Sequence, residues 1–155
     1  MKPFPLPSNN LFTESYIYQS KILDISTIEM TFPKWEGEPF NNSFGKKPLL
    51  NLEGIPMFAE FAIQTLTSVN GWSSRWISTY AALKDKPRFL SEWVDKPISK
   101  QAISPIDDEQ ANNLLQRIAT RNGNNYSGYW DVFAWNKSNY LFLEAKRSKK
   151  DKISN

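Results

Sequence analysis

The amino-acid sequence predicts an α/β domain in which a mixed central sheet of about four strands is flanked by helices. Two segments, near residues 56–70 and 107–121, carry the apolar periodicity and the terminal residues of helices. Two later runs, at 129–135 and 140–146, are rich in aromatic and β-branched residues and enclose a short polar segment, which is typical of a β-hairpin. The length of 155 residues suits one such domain.

The N-terminal part of the chain is predicted to contribute little to the core. Residues 1–15 have the character of an irregular arm, and residues 22–32 mix strand and helix signals. Residues 33–48 are rich in Pro, Gly and Asn, which favour loops. We therefore expect an N-terminal arm and loop over residues 1–48 and a core domain over residues 49–155.

The first predicted helix begins at Pro56, because proline is favoured in the first turn, where its missing N–H is not needed. It is predicted to end at Asn70, since Gly71 is a natural residue just past a helix C-terminus. The following residues, 75–80, predict a strand, and the prolines within 84–105 predict a long loop.

The second predicted helix, from about Asp107 to Arg121, has charges that complement the helix dipole. Acids occupy positions 107–109 at its N-terminus, and Arg117 and Arg121 lie near its end. Gly123 follows soon after and favours termination. The acids are therefore interpreted as helix N-terminal charge rather than as a metal site.

The composition excludes several kinds of chemistry. The chain has no cysteine and no histidine, so it has no disulfide, thiolate nucleophile, imidazole base or Cys/His zinc site. Catalysis must use carboxylates, lysine, hydroxyls or a metal ion held by oxygen. No apolar run approaches the ~18 residues of a membrane span, and the proline-rich N-terminus lacks a signal core. A cytoplasmic protein without membrane association is expected.

The predicted hairpin brings two carboxylates together. If Trp135 pairs with Tyr140 across the loop at 136–139, Asp131 lies opposite Glu144, and alternation puts Lys146 on their face. That face also carries aromatic residues, namely Tyr129, Phe133, Trp135, Tyr140 and Phe142. The other face is apolar and is predicted to meet the core, with Trp130, Val132, Ala134, Leu141, Leu143 and Ala145. Acids set among aromatics indicate that both faces of the hairpin are covered.

Directly opposed carboxylates repel each other unless one is protonated or a cation lies between them. Oxygen ligands without Cys or His favour a hard ion, so Asp131 and Glu144 predict Mg²⁺ or Mn²⁺ rather than zinc. Lys146 would then contact a phosphate or an attacking water. The alternative interpretation is a solvated hairpin face on which Asp131 and Lys146 form a surface pair.

A basic segment follows the second strand of the hairpin. Its cationic residues are Lys146, Arg147, Lys149, Lys150 and Lys152, and Asp151 is the one acid among them. Such a cluster attracts the phosphate backbone of nucleic acid. The alternative interpretation is a solvated terminal tail.

These C-terminal residues resemble the PD-(D/E)xK nuclease superfamily, and within it the small virus-type replication–repair nuclease (VRR-NUC) domains. The resemblance is carried by an acid after a large residue (Trp130-Asp131) and by a hairpin that leads into a Glu-x-Lys strand end (Glu144 to Lys146). The basic segment occupies the position of a similar segment in those domains.

The resemblance implies a restriction-endonuclease-like core and a metal-dependent nuclease acting on nucleic acid, with DNA the preferred expectation. Asp131 and Glu144 would bind one or two Mg²⁺ ions together with the backbone carbonyl of Ala145. Lys146 would orient or activate the water that attacks a phosphodiester. Glu60 matches a glutamate that the superfamily carries on the helix before the core strands, and it would assist through a second metal ion or a water.

Two features depart from the family pattern. Trp130 stands where the family has proline, and the family continues past the basic segment into a helix, whereas this sequence ends at Asn155. The sequence thus leaves open a truncated or naturally short nuclease and a catalytically inactive module that binds nucleic acid or a protein partner. An apolar face uncovered by the missing helix would favour a homo-oligomer. Glu53 is a second, weaker candidate for the helix glutamate.

Overall fold

The computed structural model describes residues 11–42, 46–79 and 86–146. Within these ranges the chain forms eight strands, two α-helices and one 3₁₀ helix over Ile98–Lys100. In chain order the strands and α-helices are β1 (Leu11–Tyr18), β2 (Lys21–Ile28), β3 (Leu50–Leu52), β4 (Ile55–Met57), α1 (Ala59–Val69), β5 (Ser73–Ser78), β6 (Arg88–Leu90), α2 (Glu109–Arg121), β7 (Val132–Asn136) and β8 (Asn139–Leu143). Among the described residues, no helix has the length and apolar character that a membrane crossing requires.

Four strands form the central sheet, in the order β6-β5-β7-β8. The predicted α/β class and strand number are confirmed. Every neighbouring pair is antiparallel, so the prediction of a mixed sheet is wrong. Antiparallel neighbours can be joined by a short turn, as β7 and β8 are, whereas parallel strands need a long crossover. The edge strand β6 lies within the segment that was expected to be a loop.

α1 begins at Ala59 rather than at Pro56. Pro56 lies in β4, opposite Asn51 of β3. The turn between these strands places Glu53 and Gly54 at φ values of 51° and 85°, and the Asn51 side chain accepts a hydrogen bond from the Gly54 N–H at 2.7 Å. Because this turn commits the next residues to a hairpin, the helix starts only after β4 has ended.

α1 covers one face of the central sheet and is held there by both polar and apolar contacts. Ser74 Oγ donates to the Gln64 carbonyl at 3.0 Å, and both side chains are buried, so their polar groups are satisfied inside the core. Phe58, which precedes the helix, packs on Trp76 of β5 with ring centroids 6.2 Å apart. These contacts align α1 along β5, with its first turn at the Ser78 end of the strand.

α2 covers the opposite face, and its predicted position is confirmed. Asp108 caps the helix by accepting a hydrogen bond from the Ala111 N–H at 2.8 Å, so the acids at its start are helix N-terminal charge. Ala111 and Leu115 pack with Ile77 and Phe133 of the sheet, and all four are buried. The two helices therefore bury both faces of the central strands.

Residues 11–28 form a β-hairpin, so the prediction of an irregular arm over residues 1–15 is wrong for the described residues 11–15. The turn of this hairpin places Gln19 and Ser20 at positive φ without the Gly or Asn that usually indicates such a turn. The hairpin exposes large apolar side chains, namely Phe12, Ile17, Ile22, Leu23, Ile25 and Ile28.

The loop before β3 is tied to the rest of the chain at two places. The Asn51 N–H donates to the Pro33 carbonyl at 2.8 Å, so this part of the loop runs beside β3. Further along, the Asp95 carboxylate accepts hydrogen bonds from the backbone N–H groups of Asn41 and Asn42, and these bonds lower the pKa of Asp95. The expected division of the chain at residue 48 stays a prediction.

Replacing the helix cap should destabilise α2. Asp108→Ala leaves the Ala111 N–H without its partner, and we expect the free energy of unfolding to fall by about 1 kcal/mol. The measurement is urea denaturation at neutral pH. Asp107→Ala is the matched control, because it removes an exposed acid of the same charge beside the same helix end. Equal losses in the two variants would assign the effect to charge rather than to the cap.

Candidate functional site

The register predicted for the C-terminal hairpin is confirmed. Trp135 lies opposite Tyr140, and the last pair of the two strands is Val132 with Leu143. The turn is tighter than predicted, because Asn136 and Asn139 are themselves paired and two residues remain between them. One position beyond the last pair, Asp131 and Glu144 leave the strands at the same end of the sheet.

Asp131 joins the ends of three strands through two hydrogen bonds. Its backbone carbonyl accepts from the Ile77 N–H of β5 at 2.8 Å, and its carboxylate accepts from the Ala145 N–H, just after β8, at 2.9 Å. The Ala145 N–H, which lies beyond the end of β8, thus donates to a side-chain carboxylate rather than to a backbone carbonyl. Asp131 and Glu144 are therefore neighbours beyond the ladder rather than a regular cross-strand pair.

The face predicted for Trp130 is wrong. Its ring contacts that of Phe142, with centroids 4.1 Å apart, although strict alternation would put the two residues on opposite faces. The physical reason is that residues 129–131 precede β7, so the alternation of a strand does not hold there. The expectation that both faces of the hairpin are covered is confirmed for β7, where Val132 to Trp135 are all buried, whereas β8 is half-buried from Tyr140 to Leu143.

The pKa of Asp131 is raised from 3.8 to about 6, chiefly because the carboxyl is withdrawn from water. The hydrogen bond from Ala145 favours the ionised form and opposes this shift. The negative charges of Glu144 and Glu60 raise the pKa further, and the positive charge of Lys47 lowers it. The acids predicted from the sequence thus lie in one electrostatic neighbourhood.

Glu60 lies in the first turn of α1 and is only 6% exposed. Lys47 forms an ion pair with it. Sequence reasoning missed Lys47, which lies in a loop where no periodicity connects it to a helix residue thirteen positions later. The one feature that could have indicated Lys47 is the requirement of a buried carboxylate for a cationic or hydrogen-bonding partner.

Lys146 forms an ion pair with Glu144 at 2.7 Å, and both side chains are about one-third exposed. The alternative interpretation, a surface pair between Lys146 and Asp131, is therefore wrong about the acid, because the ion pair of Lys146 is with Glu144. The Ala145 N–H donates a hydrogen bond to Asp131, and the metal-binding role that the resemblance implies for the Ala145 carbonyl stays a prediction. The other basic residues predicted to bind nucleic acid, Arg147, Lys149, Lys150 and Lys152, lie outside the described residues.

Oxygen donors in this neighbourhood fit a hard divalent ion in type and charge. Within the described ranges, however, no three acids are close enough together to hold a metal ion as they stand. Glu60 and Glu144 each have a lysine as the present counter-charge, and Asp131 has a backbone N–H. Metal binding at this site would require the carboxylates to move closer together and to exchange their lysine partners for the ion.

Comparisons of the chain with protein-family models, with curated proteins and with solved structures found no match. The resemblance to the nuclease superfamily therefore depends on the residues of this chain alone.

Asp131→Asn should make the protein more stable at neutral pH. A carboxyl with a raised pKa makes the folded state bind more protons than the unfolded state between about pH 4 and 6, so wild-type stability falls as the pH rises through that window. Asparagine stays neutral and still accepts from Ala145. The gain should be small at pH 4 and reach at most about 3 kcal/mol at pH 7.

The measurement is urea denaturation of both proteins in EDTA across this pH range. Asp107→Asn, which changes an exposed acid, is the control and should show no such trend. A stability difference for Asp131→Asn that stays constant with pH would contradict the raised pKa.

Proposed function

We propose that this chain is a metal-dependent nuclease that hydrolyses phosphodiester bonds of nucleic acid, with DNA as the preferred substrate. The observation that carries the proposal is Asp131, a partly buried acid of raised pKa at the junction of three strands. Glu60 and Glu144 act on the same carboxyl electrostatically, and Lys146 pairs with Glu144. An acid cluster with an adjacent lysine is the chemistry that the PD-(D/E)xK resemblance implies.

The order of the elements supports a restriction-endonuclease-like core. α1 carries Glu60 and directly precedes β5, and β5, β7 and β8 are consecutive antiparallel neighbours. Asp131 precedes the middle of these strands, and Glu144 and Lys146 follow the last. In this proposal β6 and α2 are an insertion between the first two core strands.

Each residue has a role that its position favours. Asp131, Glu60 and Glu144 would hold Mg²⁺ or Mn²⁺, which supplies charge stabilisation for the phosphodiester under attack and lowers the pKa of water. Lys146, once replaced as the partner of Glu144, would position the attacking water by donating hydrogen bonds to it. The water oxygen would form the new bond to phosphorus while losing a proton to solvent, and the bond to the leaving oxygen would break with its electron pair on that oxygen, which solvent water then protonates.

A second candidate function is a catalytically inactive module of the same fold that binds nucleic acid or a protein partner. It is favoured by the two ion pairs, since Lys47 and Lys146 already neutralise two of the three acids. In that case the lysines are permanent counter-charges of the acids. Added Mn²⁺ would then leave the NMR resonances of the residues around Asp131 and Glu60 unchanged.

The deciding experiment is a nuclease assay on single-stranded, duplex and branched DNA and on RNA, with Mg²⁺, Mn²⁺ or EDTA. The active interpretation predicts cleavage of at least one substrate that stops in EDTA. Binding without cleavage under every condition would favour the inactive module.

Asp131→Asn and Glu144→Gln should each abolish metal-dependent cleavage, because each removes a charged oxygen ligand while keeping the size of the side chain. The measurement is the cleavage rate of whichever labelled substrate the wild-type protein cleaves in that assay, and circular dichroism checks that the variants are folded. Glu109→Gln is the matched control, since Glu109 is an exposed acid in the first turn of α2 and has no proposed role in the site. Wild-type rates in both site variants would remove these acids from the mechanism.

Lys146→Ala should slow cleavage by orders of magnitude, about 100-fold or more, with little change in Mn²⁺ affinity, because lysine is not a metal ligand. Lys146→Arg should not restore the rate, since the planar guanidinium differs in shape from an ammonium and would place its donors differently at the water. Single-turnover kinetics and Mn²⁺ titration measure the two effects. Lys137→Ala, in the turn at the other end of the same hairpin, is the control. Full activity in Lys146→Ala would exclude Lys146 from the mechanism of cleavage.

A further inference from the structure

Two polar side chains near the acids have buried atoms that find no hydrogen-bond partner in the described part of the chain. Ser78 of β5 lies directly opposite Arg88 of β6, at the end of both strands. Ser78 is 3% exposed, and among the residues that the structure describes neither its Oγ nor Arg88 Nη1 has a hydrogen-bond partner. Because buried polar groups are nearly always paired in folded proteins, two orphaned atoms on facing residues require an explanation.

This pair lies at the same end of the sheet as the acids. The residue before Ser78, Ile77, donates its N–H to the Asp131 carbonyl. Ser78 shares its side of β5 with Trp76 and Ser74, which contact α1 and the residue before it. It therefore faces the helix whose first turn carries Glu60.

The chemistry of the pair favours an anion. Arginine is charged at every accessible pH and presents donors only, and a serine hydroxyl can donate as well. Among the described residues no carboxylate forms an ion pair with Arg88, so its charge is not offset in that way. Phosphate oxygens accept several hydrogen bonds at once and match the fork of a guanidinium, whereas a cation or an apolar group would leave both donors unsatisfied.

We propose that Arg88 and Ser78 form a phosphate-binding subsite that holds a phosphodiester of the substrate strand beside the one at Asp131. This inference rests on the proposed nuclease function and names the strand contact that positions the substrate. β6 is two strands from β7, so Arg88 lies roughly 10 Å across the sheet from the strand that follows Asp131. Phosphates recur about every 3.4 Å of helix axis along one strand of a duplex, so a neighbouring phosphate is within reach.

The first test uses inorganic phosphate and needs no nuclease activity. Phosphate is titrated into the protein in EDTA at constant ionic strength, and chemical shifts are followed by NMR. We expect saturable shifts at the ends of β5 and β6, and at least about tenfold weaker binding in Arg88→Ala. Arg117→Ala, which changes an exposed arginine of α2, should behave as wild type.

The second test uses a labelled DNA oligonucleotide in EDTA, so that no metal-dependent cleavage occurs. Arg88→Ala should weaken binding several-fold, about 5- to 20-fold, and reduce the salt slope by about one phosphate contact. The DNA affinity of Arg88→Lys should fall between those of the wild type and Arg88→Ala, because lysine keeps the positive charge but lacks the two-pronged donor geometry of guanidinium. Arg117→Ala should leave both affinity and slope unchanged.

Ser78→Ala separates binding from folding. Removing a buried hydroxyl that has no partner within the described ranges should leave the unfolding midpoint unchanged or raise it, while phosphate affinity falls. A lower unfolding midpoint with unchanged phosphate affinity would instead show that the Ser78 hydroxyl hydrogen-bonds a structural water. That result would overturn the part of Ser78 in the subsite.

The outcomes distinguish the two proposals. Phosphate binding that depends on Arg88, in a protein that cleaves no substrate, supports the subsite and refutes the nuclease. Metal-dependent cleavage with phosphate and DNA affinities that Arg88→Ala leaves unchanged refutes the subsite and retains the nuclease.

Discussion

The structure depends on the two hydrogen bonds that Asp131 accepts at the point where β7 begins. Its carbonyl bonds to β5 through Ile77, and its carboxylate bonds to the chain after β8 through Ala145. One residue therefore closes the same end of three neighbouring strands. Burial disfavours the charge on this carboxyl more than the Ala145 bond favours it, so the pKa rises toward neutrality. The residue that completes the sheet thereby also has a carboxyl whose pKa lies closer to neutral pH than that of an ordinary aspartate.

The two lysines at the site differ in how firmly they hold their partners. Glu60 is buried, so loss of Lys47 would leave a carboxylate withdrawn from water without its counter-charge. The pair of Lys146 and Glu144 is partly exposed, and such pairs contribute little to stability. A divalent ion would therefore displace Lys146 from Glu144 more readily than Lys47 from Glu60. That asymmetry agrees with the proposed role of Lys146 as the lysine that would become available to a substrate.

The two ends of the central sheet differ in how their polar groups are satisfied. At the end near Ser74, the buried amide of Gln64 and the serine hydroxyl bond to each other's backbone, and Asn136 donates to the Gly71 carbonyl. At the other end, burial raises the pKa of Asp131, and Ser78 and Arg88 have buried atoms with no hydrogen-bond partner in the part of the chain that the structure describes. Local rules of polar satisfaction are typically broken where a protein binds or reacts. The asymmetry therefore favours this end as the functional one.

Local chemistry in the sequence determined α2, through the Asp108 cap, and the hairpin register that pairs Trp135 with Tyr140. The register was predictable because a side-chain period of two and a short turn leave few pairings, and it brought Asp131 next to Glu144. Only the tertiary structure decided that Lys47 neutralises Glu60, that Trp130 turns to Phe142, and that Ser78 and Arg88 face each other beside the acids. These contacts join segments through loops or lie just outside regular strands, where no periodicity in the sequence specifies which side chains meet.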